Sequence, residues 1–164
     1  MKAGKEFDLI EFIQALEKEK IPYLLIGRWA VILHGAPLMT ADYDFWISPS
    51  DRRRILHLLE RMRYDLPPAT AWKQPLLTVY CASEKIDLLF FKQITNREGQ
   101  RLSFEQCSKR SDVKEDRRRR ISVRIPSIDD LIALKKSTRS TPEDELKDAT
   151  DIRFLEAIKR GKHE

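Results

Sequence analysis

With only two cysteines, Cys81 and Cys107, set far apart in 164 residues, the chain has neither a disulfide framework nor a zinc site, both of which use clustered thiols. Both are read as ordinary reduced thiols. Long hydrophobic runs are also missing. The apolar runs present, such as Tyr23-Leu24-Leu25-Ile26 and Leu88-Leu89-Phe90-Phe91, fall far short of the roughly 20 residues that a membrane-crossing helix requires. A soluble protein with no membrane partner is expected. The start, Met1-Lys2-Ala3-Gly4-Lys5-Glu6, shows no apolar leader segment or small-residue cleavage site, which predicts a cytoplasmic location. No internal repeat or low-complexity tail is present. At this length, with 41% hydrophobic residues, the chain can bury one sizeable core and has no room for a second large domain. The 31 Lys+Arg against 26 Asp+Glu leave a charge of +5, a modest excess that suits a polyanionic partner such as a nucleoside triphosphate or RNA without requiring one.

The apolar positions Phe7, Leu9, Ile10, Phe12, Ile13 and Leu16 trace one helical face over about residues 6 to 20. Pro22 to Gly27 reads as a short buried strand that turns sharply at its glycine, and a helix from Trp29 to His34 follows. Gly35-Ala36-Pro37 breaks that helix before a strand over Thr40–Ile47. Ser48 or Ser50 then caps a helix carrying Ile55, Leu58, Leu59 and Met62. Tyr64 to Pro75 is expected as a loop, and Leu76–Cys81 with Lys85–Phe91 as a hairpin. Lys92 to Arg120 reads as polar and irregular, Ile121–Ile125 as a strand, and the remainder as two helices, one after Pro126-Ser127 and one over about Pro142 to Lys159. The expected architecture is α/β (α+β): a mixed sheet flanked by helices in residues 1–125, with a C-terminal helical pair in residues 126–164 packed on it as part of one domain.

Asp42 and Asp44 lie two apart on a predicted strand, so their carboxylates share one face about 6–7 Å apart. Beside Tyr43, Phe45 and Trp46, two like charges repel unless a cation sits between them or one takes a proton. Hard oxygen ligands of this kind favour Mg²⁺ or Mn²⁺. Asp87 is a third acid in an otherwise apolar strand, where an unpaired carboxylate is costly. If its strand pairs beside that of Asp42, the three acids form one cluster able to hold two metals, with Asp87 as general base or ligand on the nucleophile side. On the acids alone an equally plain reading has Asp42 capping a turn and Asp87 in a buried salt bridge with an arginine. The strand-end glycine in Ile26-Gly27-Arg28-Trp29-Ala30-Val31 tips the balance, since backbone amides at such a helix start can cradle phosphates.

The order strand, glycine turn, helix, Asp-x-Asp and distant third Asp resembles the nucleotidyltransferase superfamily of the DNA polymerase beta type. The residues Ile21 to Val31, His34-Gly35, Thr40 to Asp44, Ile125 to Lys135, Arg139 and Lys147 to Asp151 are similar to the small bacterial nucleotidyltransferase-like proteins of the AbiEii and MNT groups of toxin–antitoxin systems. The resemblance implies metal-dependent transfer of a nucleoside monophosphate from an NTP to a hydroxyl on RNA or protein, with a toxin or antitoxin as partner. It assigns Gly27 to the phosphate-binding turn, Asp42, Asp44 and Asp87 to the metal site, and Lys135 to the triphosphate. Where the family usually has a second glycine or a serine, this chain has Arg28. Its planar fork either clamps phosphate, which keeps an enzyme, or fills the space the phosphate needs, which leaves a regulatory binding protein.

Thr40 either shapes the turn before the acids or contacts phosphate. His34 is expected as a packed or helix-capping side chain, and Trp29 and Trp46 as core residues, with base stacking as the alternative. Arg52-Arg53-Arg54 reads as a solvated helix start. Arg117-Arg118-Arg119-Arg120 reads as a flexible basic loop, with a grip on RNA or an acidic partner as the alternative. Lys147, Asp148 and Asp151 are expected to pair within one helix or to contact the main domain.

Overall fold

The computed structural model describes residues 6–116, 118 and 120–161. Its centre is a four-stranded sheet of β1 (Leu24–Ile26), β2 (Tyr43–Trp46), β3 (Leu76–Cys81) and β4 (Glu84–Leu89), in the order β1-β2-β4-β3. β2 runs parallel to β4 and antiparallel to β1, while β3 and β4 form an antiparallel hairpin, so the sheet is mixed.

Alternation along these strands divides the sheet into two faces. Leu25, Phe45, Leu88 and Leu77 lie in one cross-strand row and join the main core with α1 (Leu9–Lys18) and α3 (Arg52–Arg61). Phe12, Ile13 and Leu16 of α1 and Ile55, Leu56 and Leu59 of α3 are 0% exposed; burying each such side chain contributes roughly 1.5–3 kcal/mol. Asp8 starts α1 by accepting the N–H of Ile10 at 2.9 Å. The opposite face carries Leu24, Ile26, Trp46 and Leu89, packed with Leu102, Phe104, Cys107 and Ala133 in a smaller cluster. On that face one row is apolar (Leu24, Trp46, Leu89, Leu76) and the next is polar at its centre (Ile26, Asp44, Asp87, Thr78).

The C-terminal pair forms as expected: α5 (Ile128–Lys135), capped by Ser127, and α6 (Pro142–Gly161). α2 (Gly27–Leu33) begins at the glycine itself, two residues earlier than its apolar pattern suggests. The expected loop over Tyr64–Pro75 is tied down by Arg52, whose Nη1 donates to the carbonyls of Trp72 and Gln74 at 2.6 and 2.5 Å and whose guanidinium lies 4.5 Å from the Phe90 ring centre.

Two expectations change. Lys92–Arg120 is not irregular: it contains β5 (Gln93–Thr95), β6 (Arg101–Ser103), α4 (Phe104–Lys109) and β7 (Asp112–Asp116), the last paired with β8 (Ile121–Ile125). These pieces are short and mostly solvent-facing, so they carry little apolar period; one side chain, Leu102, anchors β6 at 1% exposure. The second strand is also shorter than expected, beginning at Tyr43, so Asp42 stands just outside it. Of the arginine run, Arg118 and Arg120 are exposed beside the β7–β8 turn, and Arg117 and Arg119 lie outside the described residues.

Candidate active site

The parallel pairing of β2 with β4 sets Asp44 directly opposite Asp87. Thr78, the next residue in that row, donates its hydroxyl to Asp87 Oδ1 at 2.6 Å, and Lys85 Nζ lies 3.4 Å from Asp87 Oδ2. Asp87 therefore pairs with a lysine two residues before it on its own strand, not with an arginine. The ammonium of Lys85 is held above the usual lysine range, chiefly by Asp87.

Asp44 has no such counterion among the described ion pairs. Burial, then the charges of Asp87 and Asp42, push its carboxyl up to about 6. Gly27 closes over it. The glycine has φ +70°, and a Cβ there would lie 2.4 Å from Asp44 Oδ2, so both the backbone conformation and the close approach demand glycine. Asp42 is exposed, and its backbone N–H donates to Thr40 Oγ1 at 3.1 Å; the Thr40 hydroxyl thus shapes the turn into β2.

The cations come from elsewhere. Lys135, at the end of α5 and 9% exposed, places Nζ 3.0 Å from Asp151 Oδ2 and 3.6 Å from Asp148 Oδ1. Arg28 Nη2 lies 3.0 Å from the other oxygen of Asp151. Arg139 reaches Asp148 at 3.2 Å and Asp144 at 3.5 Å. The α6 acids therefore serve cations of the core and of the α5–α6 loop. Burial pushes the Asp148 carboxyl upward, against the opposing pull of Lys135 and Arg139.

These groups border a cleft with two lobes that share Gly27, Asp44, Lys135 and Arg139. The polar lobe, about 280 Å³, adds Arg28, Thr40, Asp42 and Lys147. The larger lobe, about 600 Å³, adds Asp87 and a largely apolar wall that includes Leu76, Leu89, Phe91 and Leu134. Asp44 and Asp87 supply hard oxygens in register, the donor chemistry that Mg²⁺ or Mn²⁺ takes, and Mg²⁺ commonly uses one or two carboxylates with water and substrate phosphates completing its shell. Among the described residues no three His, Cys, Asp or Glu side chains are gathered closely enough to hold a metal by themselves.

His34 caps α2, and its Nε2 donates to the Pro126 carbonyl at 2.8 Å. Trp46 is 0% exposed and donates to the Phe91 carbonyl at 2.7 Å. Trp29 stacks on Tyr43 with 5.6 Å between ring centres. Sequence reasoning missed Thr78 and Lys85 as neighbours of the site; of the two readings of Asp148 and Asp151, contact with the main domain is the one found, through Arg28 and Lys135. The i, i+2 spacing of Lys85 and Asp87 was a usable signal; Thr78 needed the hairpin register, and the α6 acids needed the packing of α6 on α2.

No protein-family model and no curated protein matches the sequence. Solved structures do match the fold. The lincosamide antibiotic adenylyltransferase LnuA, with lincomycin bound, aligns with a TM-score of 0.64 and 17% identity over 96% of this chain and 99% of its own. A candidate nucleotidyltransferase from Thermotoga maritima aligns with a TM-score of 0.57 and 11% identity over 93% of this chain and 89% of its own. The antibiotic-resistance factor ANT(2'')-Ia, in complex with adenylyl-2''-tobramycin, aligns with a TM-score of 0.52 and 14% identity over 93% and 95%. The chain has the nucleotidyltransferase fold.

Proposed function

From that fold as premise, we propose that the chain transfers a nucleoside monophosphate from a nucleoside triphosphate to a hydroxyl group and releases pyrophosphate. One observation carries the reading: Asp44 and Asp87 stand opposite each other on adjacent parallel strands, beneath a glycine turn, beside a lobe that Arg28, Lys135, Arg139 and Lys147 line together with the α6 acids Asp144, Asp148 and Asp151. The cations of the polar lobe hold the triphosphate chain. Arg28 is drawn toward Asp151 and forms part of the lobe's wall while the lobe stays open, which favours the clamp over the plug and the enzyme over the degenerate binding protein.

Asp44 and Asp87, with Asp42 brought in from the strand start, would hold Mg²⁺ or Mn²⁺, which supplies neutralisation of the charge that builds on the transferring phosphoryl group. Asp87, whose two oxygens are engaged by Thr78 and Lys85, would take the acceptor's proton. The acceptor oxygen then bonds to the α-phosphorus as the bond to the pyrophosphate oxygen breaks, with alignment of the two reactants providing much of the acceleration. An RNA or protein hydroxyl and a toxin–antitoxin setting follow only from the sequence resemblance. Arg118 and Arg120 border neither lobe.

The test is equilibrium dialysis of each of the four labelled NTPs with and without Mg²⁺, followed by assay of pyrophosphate release with a mixed acceptor extract. Metal-dependent binding and release, both lost in Asp44→Asn, are expected. Failure of all four NTPs to bind would overturn the proposal.

A further inference from the structure

The larger lobe is the one bordered by both Asp44 and Asp87, and its walls bear on which acceptor it can take. The apolar row of the sheet runs next to the acid row, so Leu89 and its cross-strand partner Leu76 lie on the same face as Asp87. Leu89 is partly exposed, and Leu76, on the edge strand β3, is 50% exposed. Phe91, Ile94 of β5, and Leu131 and Leu134 of α5 complete the apolar wall.

The charges bordering the lobe are Asp44, Asp87, Lys135 and Arg139. Asp87 is paired with Lys85, and the two cations are paired with acids of α6. One carboxylate, Asp44, is left without an ion pair among the described residues, and the proposed metal site needs it. A polyamine would find no set of free acids here to hold it. A polynucleotide would have to lay its phosphates against leucines. A volume of about 600 Å³ falls within the range of small-molecule pockets, roughly 300–1,000 Å³.

We infer that the acceptor is a compact amphipathic alcohol, uncharged or carrying one negative charge, whose apolar side lies on Leu76, Leu89 and Leu134 and whose hydroxyl points to Asp87. This rests on the nucleotidyl-transfer reading of the cleft and narrows it. In the transfer the acceptor oxygen bonds to the α-phosphorus, its proton passes to Asp87, and pyrophosphate leaves with the electrons of the broken phosphoanhydride bond.

The test uses 1-anilinonaphthalene-8-sulfonate, an apolar dye with one negative charge, as a fluorescent occupant of the native lobe. Octyl glucoside below its micellar concentration should displace it, whereas tobramycin and total RNA should not. Leu76→Asp replaces a half-exposed side chain and should leave the fold intact; it should weaken dye binding about tenfold, through lost apolar contact and like charge. Displacement by tobramycin or RNA, absence of dye binding, or an unaffected Leu76→Asp variant would each overturn the inference while leaving NTP binding as evidence for transfer. If none of the NTPs binds, the transfer reading fails, and the acceptor role falls with it whatever the dye reports.

Discussion

Arg28 and Asp151 form an ion pair of 3.0 Å between the first turn of α2 and the middle of α6, with the aspartate 1% exposed. The same carboxylate holds Lys135 through its other oxygen. One acid of the C-terminal helix thus sets the position of two cations that border the polar lobe.

The two ends of this pair should respond unequally to removal. Arg28→Ala leaves Asp151 with Lys135 and should cost on the order of 1 kcal/mol in urea unfolding. Asp151→Ala leaves two partly buried cations without their shared counterion and should cost about 3–5 kcal/mol. Equal losses would show that Asp151 does not serve both cations.

Asp44 should trade stability for function. Its folded carboxyl is raised from 3.8 to about 6, so as pH climbs between those values the unfolded chain gives up its proton first and stability falls, levelling off above pH 6. Above that point Asp44→Asn should be more stable than the parent by on the order of 1 kcal/mol, allowing for partial exposure of the site, while losing transfer. Mg²⁺ should raise the melting temperature of the parent and not of the variant. A variant less stable than the parent at pH 8 would contradict the like-charge account.

Gly27→Ala puts a methyl group where Asp44 Oδ2 now lies, at a positive φ. A loss of roughly 1–3 kcal/mol is expected, together with loss of metal-dependent NTP binding because Asp44 must move. Calorimetric unfolding and dialysis measure the two effects separately.

Tyr23 provides an alkaline limit. Burial pushes its phenol from 10.0 up to about 12, and its oxygen accepts the N–H of Arg124 at 3.2 Å. Its contribution is complete below pH 10 and is lost as pH rises through 12, because the unfolded chain ionises first. Tyr23→Phe should flatten the fall in urea midpoint between pH 9.5 and 11.5, though the buried Tyr64 phenol, also raised, leaves part of the slope.

The larger elements were mostly legible because they bury a face: α1, α3, the β3–β4 hairpin and α5 follow apolar periods, whereas α6 was legible from the proline at its start. Asp44 and Asp87 were legible as acids whose burial demands a partner, Gly27 as a strand-end turn and Lys135 only through the family resemblance, and pairing of the acid strands was the condition on which the acid cluster depended. What stayed hidden was long-range. Nothing local in Asp148 or Asp151 distinguishes them from helix-surface acids, and only the packing of α6 on α2 and α5 buries them. β5, β6, α4 and β7 stayed hidden for the opposite reason: their few inward side chains leave no period to read, yet β5 supplies Ile94 to the wall of the larger lobe.

The parallel pairing of β2 with β4 joins strands separated by a helix, a loop and the whole of β3. Asp44 therefore meets Asp87 only after a long chain closure, which is an entropically slow event. Fragments and nascent chains that stop before β4 have half an anion cluster and no reason to capture a divalent ion. Metal-dependent nucleotide capture by this protein would report that its folding is finished.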